Sequence, residues 1–228
     1  MRFKIIYIVS VFTYAVLLTL TPVFANQDFS IPEDQLNQLL MDIESNFSEI
    51  KTLRTKLKQE KSIPIFSEKI LSKGFCIFKS PDRLRLEFTE PFKSSLIING
   101  NQVFQYEFFD GSWHKLSTGN KEILLMIMGN ITSWLKGRFN DQNLYKISAL
   151  KNENVTIILI PKADEFKKYI TSFELGLNST LDGLDHIIIN ERKHTYTKIQ
   201  FYNDEINIKI PDTLFYGRKD APTPVLQW

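Results

Sequence analysis

GFCIFKSPDRLRLEFTEPFKSSLIINGNQVFQYEF, residues 74–108, carries the densest strand and turn signals in the sequence, and its reading decides the fold. Residues 75–79 run to a stop at Ser80-Pro81. Residues 83–88 then alternate, with Leu84, Leu86 and Phe88 on one face and Arg83, Arg85 and Glu87 on the other, the pattern of a half-buried strand. After Glu90-Pro91 the apolar run Leu96-Ile97-Ile98 meets Asn99-Gly100, a pair suited to the positive φ of a two-residue hairpin turn. The chain returns through Val103, Phe104 and Tyr106. Four consecutive strands therefore form an antiparallel meander with one apolar face. Leu84, Leu86, Phe88, Phe104 and Tyr106 are expected to share that face, and something has to cover it.

Candidate covers stand on either side. Upstream, Ser30-Ile31-Pro32-Glu33 has the form of a capping box, and Leu36, Leu39, Leu40, Ile43, Phe47 and Ile50 follow at helical spacing. The period changes to two at Leu53, Thr55 and Leu57, giving a strand that breaks near Ile63-Pro64. Downstream, Asp110-Gly111 makes a tight turn into another strand over 112–116. Residues 121–136 then hold Ile123, Met126, Ile127, Met128, Ile131 and Trp134, too apolar for a surface helix and too short to cross a bilayer. Strand patterns return at 145–149, 155–160, 169–175, 186–190, 196–201 and 206–210, with no long helix between them to make parallel crossovers.

The fold class is therefore mainly β with helices: a single curved antiparallel sheet of about eleven strands forming a half-open barrel with an α-helical lid. The apolar side chains under the lid either line a cavity for an apolar ligand or form a packed core, and their pattern is the same for both. Met126 and Met128 fit either case.

Arg2 and Lys4, the apolar run 5–20 and Val23-Phe24-Ala25 form a secretory signal with a cut after Ala25. An uncleaved membrane anchor is the alternative. Cleavage leaves one domain, residues 26–228, with 26 basic and 26 acidic residues, a balance that suggests neither nucleic acid nor an anionic membrane as partner. Cys76 is the one cysteine, so it forms no internal disulfide and reads as a small buried hydrophobe. Arg83, Arg85, Lys93 and Lys115 read either as a docking patch or as a solvated sheet face. His114, His186 and His194 have no metal-ligand spacing, and the sequence lacks H-E-x-x-H, G-x-S-x-G and a Gly-rich phosphate loop. The reading is of a protein that is not an enzyme and holds neither metal nor cofactor.

The motif over residues 74–81, G-x-apolar-x-apolar-K-x-P, resembles the periplasmic outer-membrane lipoprotein carrier family, LolA. So do the alternating Arg and Phe strand 83–88, the break Thr89-Glu90-Pro91, the Asn99-Gly100 hairpin and Phe104-Gln105-Tyr106. The resemblance implies a monomeric periplasmic carrier that takes lipoprotein acyl chains from an inner-membrane ABC transporter complex and hands them to an outer-membrane acceptor. It also implies a lipid-binding set of Leu40, Ile43, Phe47, Leu84, Leu86, Phe88, Phe104, Tyr106, Ile123, Ile127, Ile131 and Trp134. Ser80 departs from the pattern, because family members carry an arginine there that hydrogen-bonds the lid shut. A serine hydroxyl lacks that reach and the second donor, so the lid is expected to be held by Ile127, Ile131 and Trp134. The alternatives are a periplasmic sensor or regulator on the same half-barrel, or a carrier of another lipid such as a glycolipid or polyene.

Overall fold

Alternating strands joined by tight turns build one continuous sheet. The computed structural model describes residues 29–66, 68–117, 121–218 and 221–223, without the side chains of residues 29 and 121–123. The expected signal, residues 1–25, lies outside them. In chain order the elements are β1 (Phe29–Ser30), α1 (Glu33–Phe47), β2 (Thr52–Ser62), β3 (Ile70–Lys79), β4 (Arg83–Glu90), β5 (Ser94–Asn99), β6 (Gln102–Phe109), β7 (Ser112–Lys115) and α2 (Lys121–Trp134). There follow β8 (Tyr145–Lys151), β9 (Val155–Pro161), α3 (Asp164–Lys167), β10 (Ile170–Leu177), β11 (Leu184–Glu191), β12 (Tyr196–Ile206) and a 3-10 turn, Asp212–Phe215.

The strands form a single 12-stranded sheet in the order β1-β8-β9-β10-β11-β12-β2-β3-β4-β5-β6-β7. Every pairing is antiparallel. The sheet is open, with β1 and β7 at its edges, and the two-residue β1 is the strand added to the expected number. Side chains from β8–β12 meet those from β2–β5 and from both long helices in one apolar cluster. Strands lie about 4.8 Å apart, so a flat sheet this wide would hold them well out of contact. The sheet curls around that cluster, and α1 and α2 close over it.

The expected capping box does not form, because Ser30 pairs with Leu150 in β1 and Pro32 becomes the N-cap without a side-chain hydrogen bond. At the other helix, Gly137 at φ +72° ends α2. The N–H of Arg138 donates to the Ser133 carbonyl and that of Gly137 to the Trp134 carbonyl, a Schellman closure. A Cβ on Gly137 would stand 2.7 Å from Cβ of Phe47. This glycine lets the last turn of α1 sit directly on the end of α2.

The convex face departs from the expected picture. The alternation predicts a solvated Arg83, Arg85 and Glu87, and a last strand over 206–210. Instead the chain leaves β12 at Asn207, whose φ is +57°. Its side-chain oxygen accepts from the N–H of Lys51 at 2.8 Å, while its amide donates to the Glu49 carbonyl at 2.9 Å. That clamp turns residues 208–218 across the outside of β3–β6. There Ile210 and Phe215 pack with Phe75, Ile77, Ile97 and Tyr106 in a second apolar cluster.

Polar contacts fasten this strap. Arg85 is fully buried; its guanidinium donates to Glu87 and, through Nη1, to the Leu214 carbonyl at 3.0 Å. Arg83 Nη1 lies 2.6 Å from Asp212 Oδ1, and Lys79 donates to the same carboxylate. The Tyr106 hydroxyl donates to the Arg218 carbonyl and accepts from the Arg218 N–H. Lys115 lies over the Phe104 ring and Lys93 over the Phe108 ring. The four cations considered as a docking patch are thus engaged within the protein, two of them holding the strap.

Two predictions follow from the strap. Removing one partner of a buried ion pair strands the other, so Glu87→Ala should cost about 3 kcal/mol in urea denaturation. The double change Arg85→Met with Glu87→Leu should restore most of that loss. Hydrogen bonds from Lys79 and then Arg83 hold the Asp212 carboxyl below its usual range. A lowered folded-state pKa gives stability above the unfolded value and loses it as pH falls, so the difference in melting temperature between wild type and Asp212→Asn should be full near pH 6 and shrink below about pH 4.

Candidate functional site

The concave face is where two helices meet twelve strands. Leu36, Leu40, Ile43 and Phe47 recur along α1 at helical spacing and form its inward stripe. The last turns of α2 contribute Ile131, Trp134 and Leu135. Trp134 meets Phe173 at 4.8 Å between ring centroids, and Phe47 meets Phe139 edge-on at 5.7 Å. The gap bounded by Phe47, Ile50, Leu53, Leu135, Leu184 and Phe201 has a volume of about 10 Å³. That is about the threshold for one water, so the interior is closed around this gap.

The other half is looser. Phe88 on β4, Leu96 on β5, Val103 on β6, and Leu124 and Ile127 on the first turns of α2 pack against the same cluster but are only half-buried. They give the concave face an apolar margin that water still reaches. The buried polar groups nearby are satisfied: Thr55 donates to the Tyr202 carbonyl, freed by the bulge in β12, and Thr132 donates to Met128 one turn back in α2. Among the described residues the one fully buried charge, Arg85, lies on the opposite face.

The structure brings together most of the residues singled out from sequence. Leu40, Ile43 and Phe47 lie in the closed half, with Ile131 and Trp134 beside them and Leu84 and Leu86 beneath the same cluster. Phe88 and Ile127 lie at the loose margin. The side chain of Ile123 is outside the described residues. Phe104 and Tyr106 do not share this face: they belong to the outer cluster under the strap.

The reason is parity. The turn residues are Gly100 and Asn101, with Gly100 at φ +58°, so Asn99 pairs with Gln102, Ile98 with Val103 and Ile97 with Phe104. Crossing a two-residue turn exchanges odd and even positions, and β4 to β5 keeps them, since Leu84 faces Ile98 and Leu86 faces Leu96. Inward positions on β6 are therefore Val103 and Gln105. Counting across the turn would have named Leu96 and Val103. Leu124 lies on the same apolar helix as Ile127 and was passed over only because the whole helix is apolar.

Cys76 lies on the concave face, with none of its surface exposed, and burial pushes its thiol up to about 12. At the position of the missing arginine, Ser80 donates its N–H to the Lys51 carbonyl, and Lys79 turns outward to the strap. A cleft of about 540 Å³ runs along α1, lined by Asp34, Gln35, Asp42 and Lys151 and by Ile31, Leu39, Val155 and Leu181, so that it mixes polar and apolar side chains. No helix of the described residues is long and apolar enough to cross a membrane.

A helix-covered half-barrel with an apolar concave face defines the class. The family model described as outer membrane lipoprotein carrier protein LolA matches residues 48–217, and the chain belongs to that family. Distant likenesses to solved structures are found as well. A LolA superfamily protein from Nitrosomonas europaea is 12% identical over 78% of this chain and 97% of its own, with a TM-score of 0.41. An outer membrane lipoprotein-sorting protein domain from Vibrio parahaemolyticus is 11% identical over 78% and 94%, with a TM-score of 0.43. A chain of the Pseudomonas aeruginosa MucA/MucB complex is 13% identical over 84% and 64%, with a TM-score of 0.41. These are distant likenesses and carry no functional argument. A search of curated proteins finds no match.

Native protein should leave Cys76 unmodified by an aromatic disulfide reagent over hours at pH 8, and urea-unfolded protein should react at one thiol per chain within minutes. Rapid labelling of the native state would mean that the concave face opens readily near β3.

Proposed function

We propose that the protein is a periplasmic carrier that shelters the acyl chains of lipoproteins between the inner and outer membranes. The observation that carries this reading is the half-closed margin of the concave face, where Phe88, Leu96, Val103, Leu124 and Ile127 are apolar, partly exposed and packed against the buried cluster. Moving an acyl chain through water costs about 0.8 kcal/mol per exposed methylene, so a carrier has to offer continuous apolar surface in exchange. Family membership supports the same reading.

In this reading residues 1–25 direct export and are removed, and residues 26–228 act as a monomer. The inner-membrane partner is an ABC transporter complex that releases lipoproteins; the outer-membrane partner is an acceptor. Binding and release require no bond chemistry. The first turns of α2 rest on Leu124 and Ile127 and lift when a chain slides beneath them, while Trp134 and Gly137 keep the far end seated. An apolar contact of this kind is satisfied equally by the sheet or by cargo, which makes loading reversible.

The test is mass spectrometry of organic and proteolytic extracts from protein recovered from the periplasm. Lipoprotein-derived acylated peptides should accompany wild type. Ile127→Glu should reduce them at least about tenfold while leaving the circular dichroism spectrum unchanged, because a carboxylate at the margin must be desolvated by cargo. Extracts without acylated peptides, or equal loading of the variant, would overturn the proposal; a glycolipid or polyene in their place would assign a different cargo to the same face.

A further inference from the structure

Large exposed apolar side chains are distributed unevenly over the molecule. The hairpins β2–β3, β4–β5 and β6–β7 turn at the same end of the sheet, and each turn or its flank presents such groups to solvent. Ile65 is 85% exposed, Phe66 57%, Leu71 63%, Phe92 78% and Phe109 53%. Scattered exposed apolar residues need no explanation, but a row of them along one rim does. The turns at the other end read Ser80-Pro81-Asp82, Asn99-Gly100-Asn101 and Asn152-Glu153-Asn154.

Register sets how far the rim projects. Lys73 pairs with Glu90, whereas β2 and β3 stay paired up to Lys61 and Ile70. The β2–β3 hairpin thus overhangs its neighbour by three residues, roughly 10 Å. Phe92 and Phe109 form a lower step beside it.

Over residues 58–73, 89–95, 108–113 and 190–198 at this end, eight Lys and Arg stand against five Asp and Glu, the excess coming from 58–73 and from the β11–β12 turn within 190–198. Three of those carboxylates are already matched by lysines: Glu60 by Lys69 at 2.8 Å, Glu90 by Lys73 at 2.8 Å and Glu191 by Lys61 at 3.2 Å. The opposite turns, residues 80–82, 99–101, 152–154, 178–183 and 203–207, hold five Asp and Glu, with Lys51, Lys79, Arg83 and Lys151 beside them.

From this we infer that the rim formed by the β2–β3, β4–β5 and β6–β7 turns is a membrane-contacting surface, which dips its apolar tips into the interface of an anionic phospholipid bilayer. Protruding aliphatic and aromatic tips, with Lys61, Lys69 and Lys93 beside them and Arg192 and Lys193 on the neighbouring β11–β12 turn, match a layer that is apolar below and negatively charged at its surface. The zero net charge of residues 26–228 does not exclude this, because this end of the sheet has a cationic excess. The inference stands on the rim alone and is independent of what the concave face binds.

The test uses protein recovered from the periplasm, with a polarity-sensitive fluorophore attached at Phe66→Cys, at Phe92→Cys and, as the control at the opposite end, at Asn101→Cys. All three sites are exposed, and the buried Cys76 does not compete for label. Vesicles of phosphatidylethanolamine with phosphatidylglycerol should raise emission about twofold or more at 66 and 92 and leave 101 unchanged, with the rise falling in about 0.5 M salt. Vesicles of phosphatidylcholine alone should give a smaller rise. Ile65→Ser with Phe66→Ser should abolish the rise read at 92. Wet probes at 66 and 92 on vesicles, or an equal rise at 101, would overturn the inference. Shielding at 66 and 92 only by detergent-solubilised envelope proteins would likewise overturn it and make the rim a protein-docking surface.

Discussion

The strands β3–β6 are apolar on both sides, and the rest of the molecule is arranged to keep both sides out of water. Along β3, Phe75 and Ile77 point outward while Cys76 and Phe78 point inward; along β5, Ile97 points outward between Leu96 and Ile98. A sheet in the middle of a sandwich solves this with a layer on each face. Here a single sheet curls on itself, so its inner face is covered by two helices and the opposite wall. The outer face has no such wall. A strap of eleven residues, turned back by Asn207, takes that place and is the reason Arg85 can be both charged and dry.

Much of the fold was legible because period and punctuation agree along the chain. Strand alternation in 83–88, the Pro-flanked breaks and the apolar helix over 121–136 each point to the observed element. The strap was less legible. Ile206, Ile208 and Ile210 alternate like a strand, and only Asn207, with its left-handed φ and its hydrogen bonds to Glu49, Lys51 and Thr52, decides otherwise. Nothing local in the residues 206–210 announces those distant partners. Ser30 fails as a cap for a similar reason, since its backbone is drawn into pairing with β8.

The candidate site was legible by chemistry and partly lost by geometry. Apolar type selected Leu84, Leu86, Ile131 and Trp134 correctly for the inner cluster. Phe104 and Tyr106 carry the same signal and lie outside, because face is a property of register and register is fixed by turn length. Aromatic residues on an outer face ordinarily argue for a second layer, and the strap is that layer in its thinnest form. The residues at the loose margin, Leu96, Val103 and Leu124, are neither the largest nor the most buried, which is why a search for strong hydrophobes passes over them.

The two covers differ in the kind of attraction that seats them. Leu, Ile, Phe and Trp seat the helices inside; outside, one carboxylate shared by Lys79 and Arg83, one dry guanidinium and one phenol add polar fastening to the strap's own apolar cluster. Acid and ionic strength act on those polar fastenings and not on the apolar contacts of the helices. The outer cover thus answers to a key that the inner one does not share.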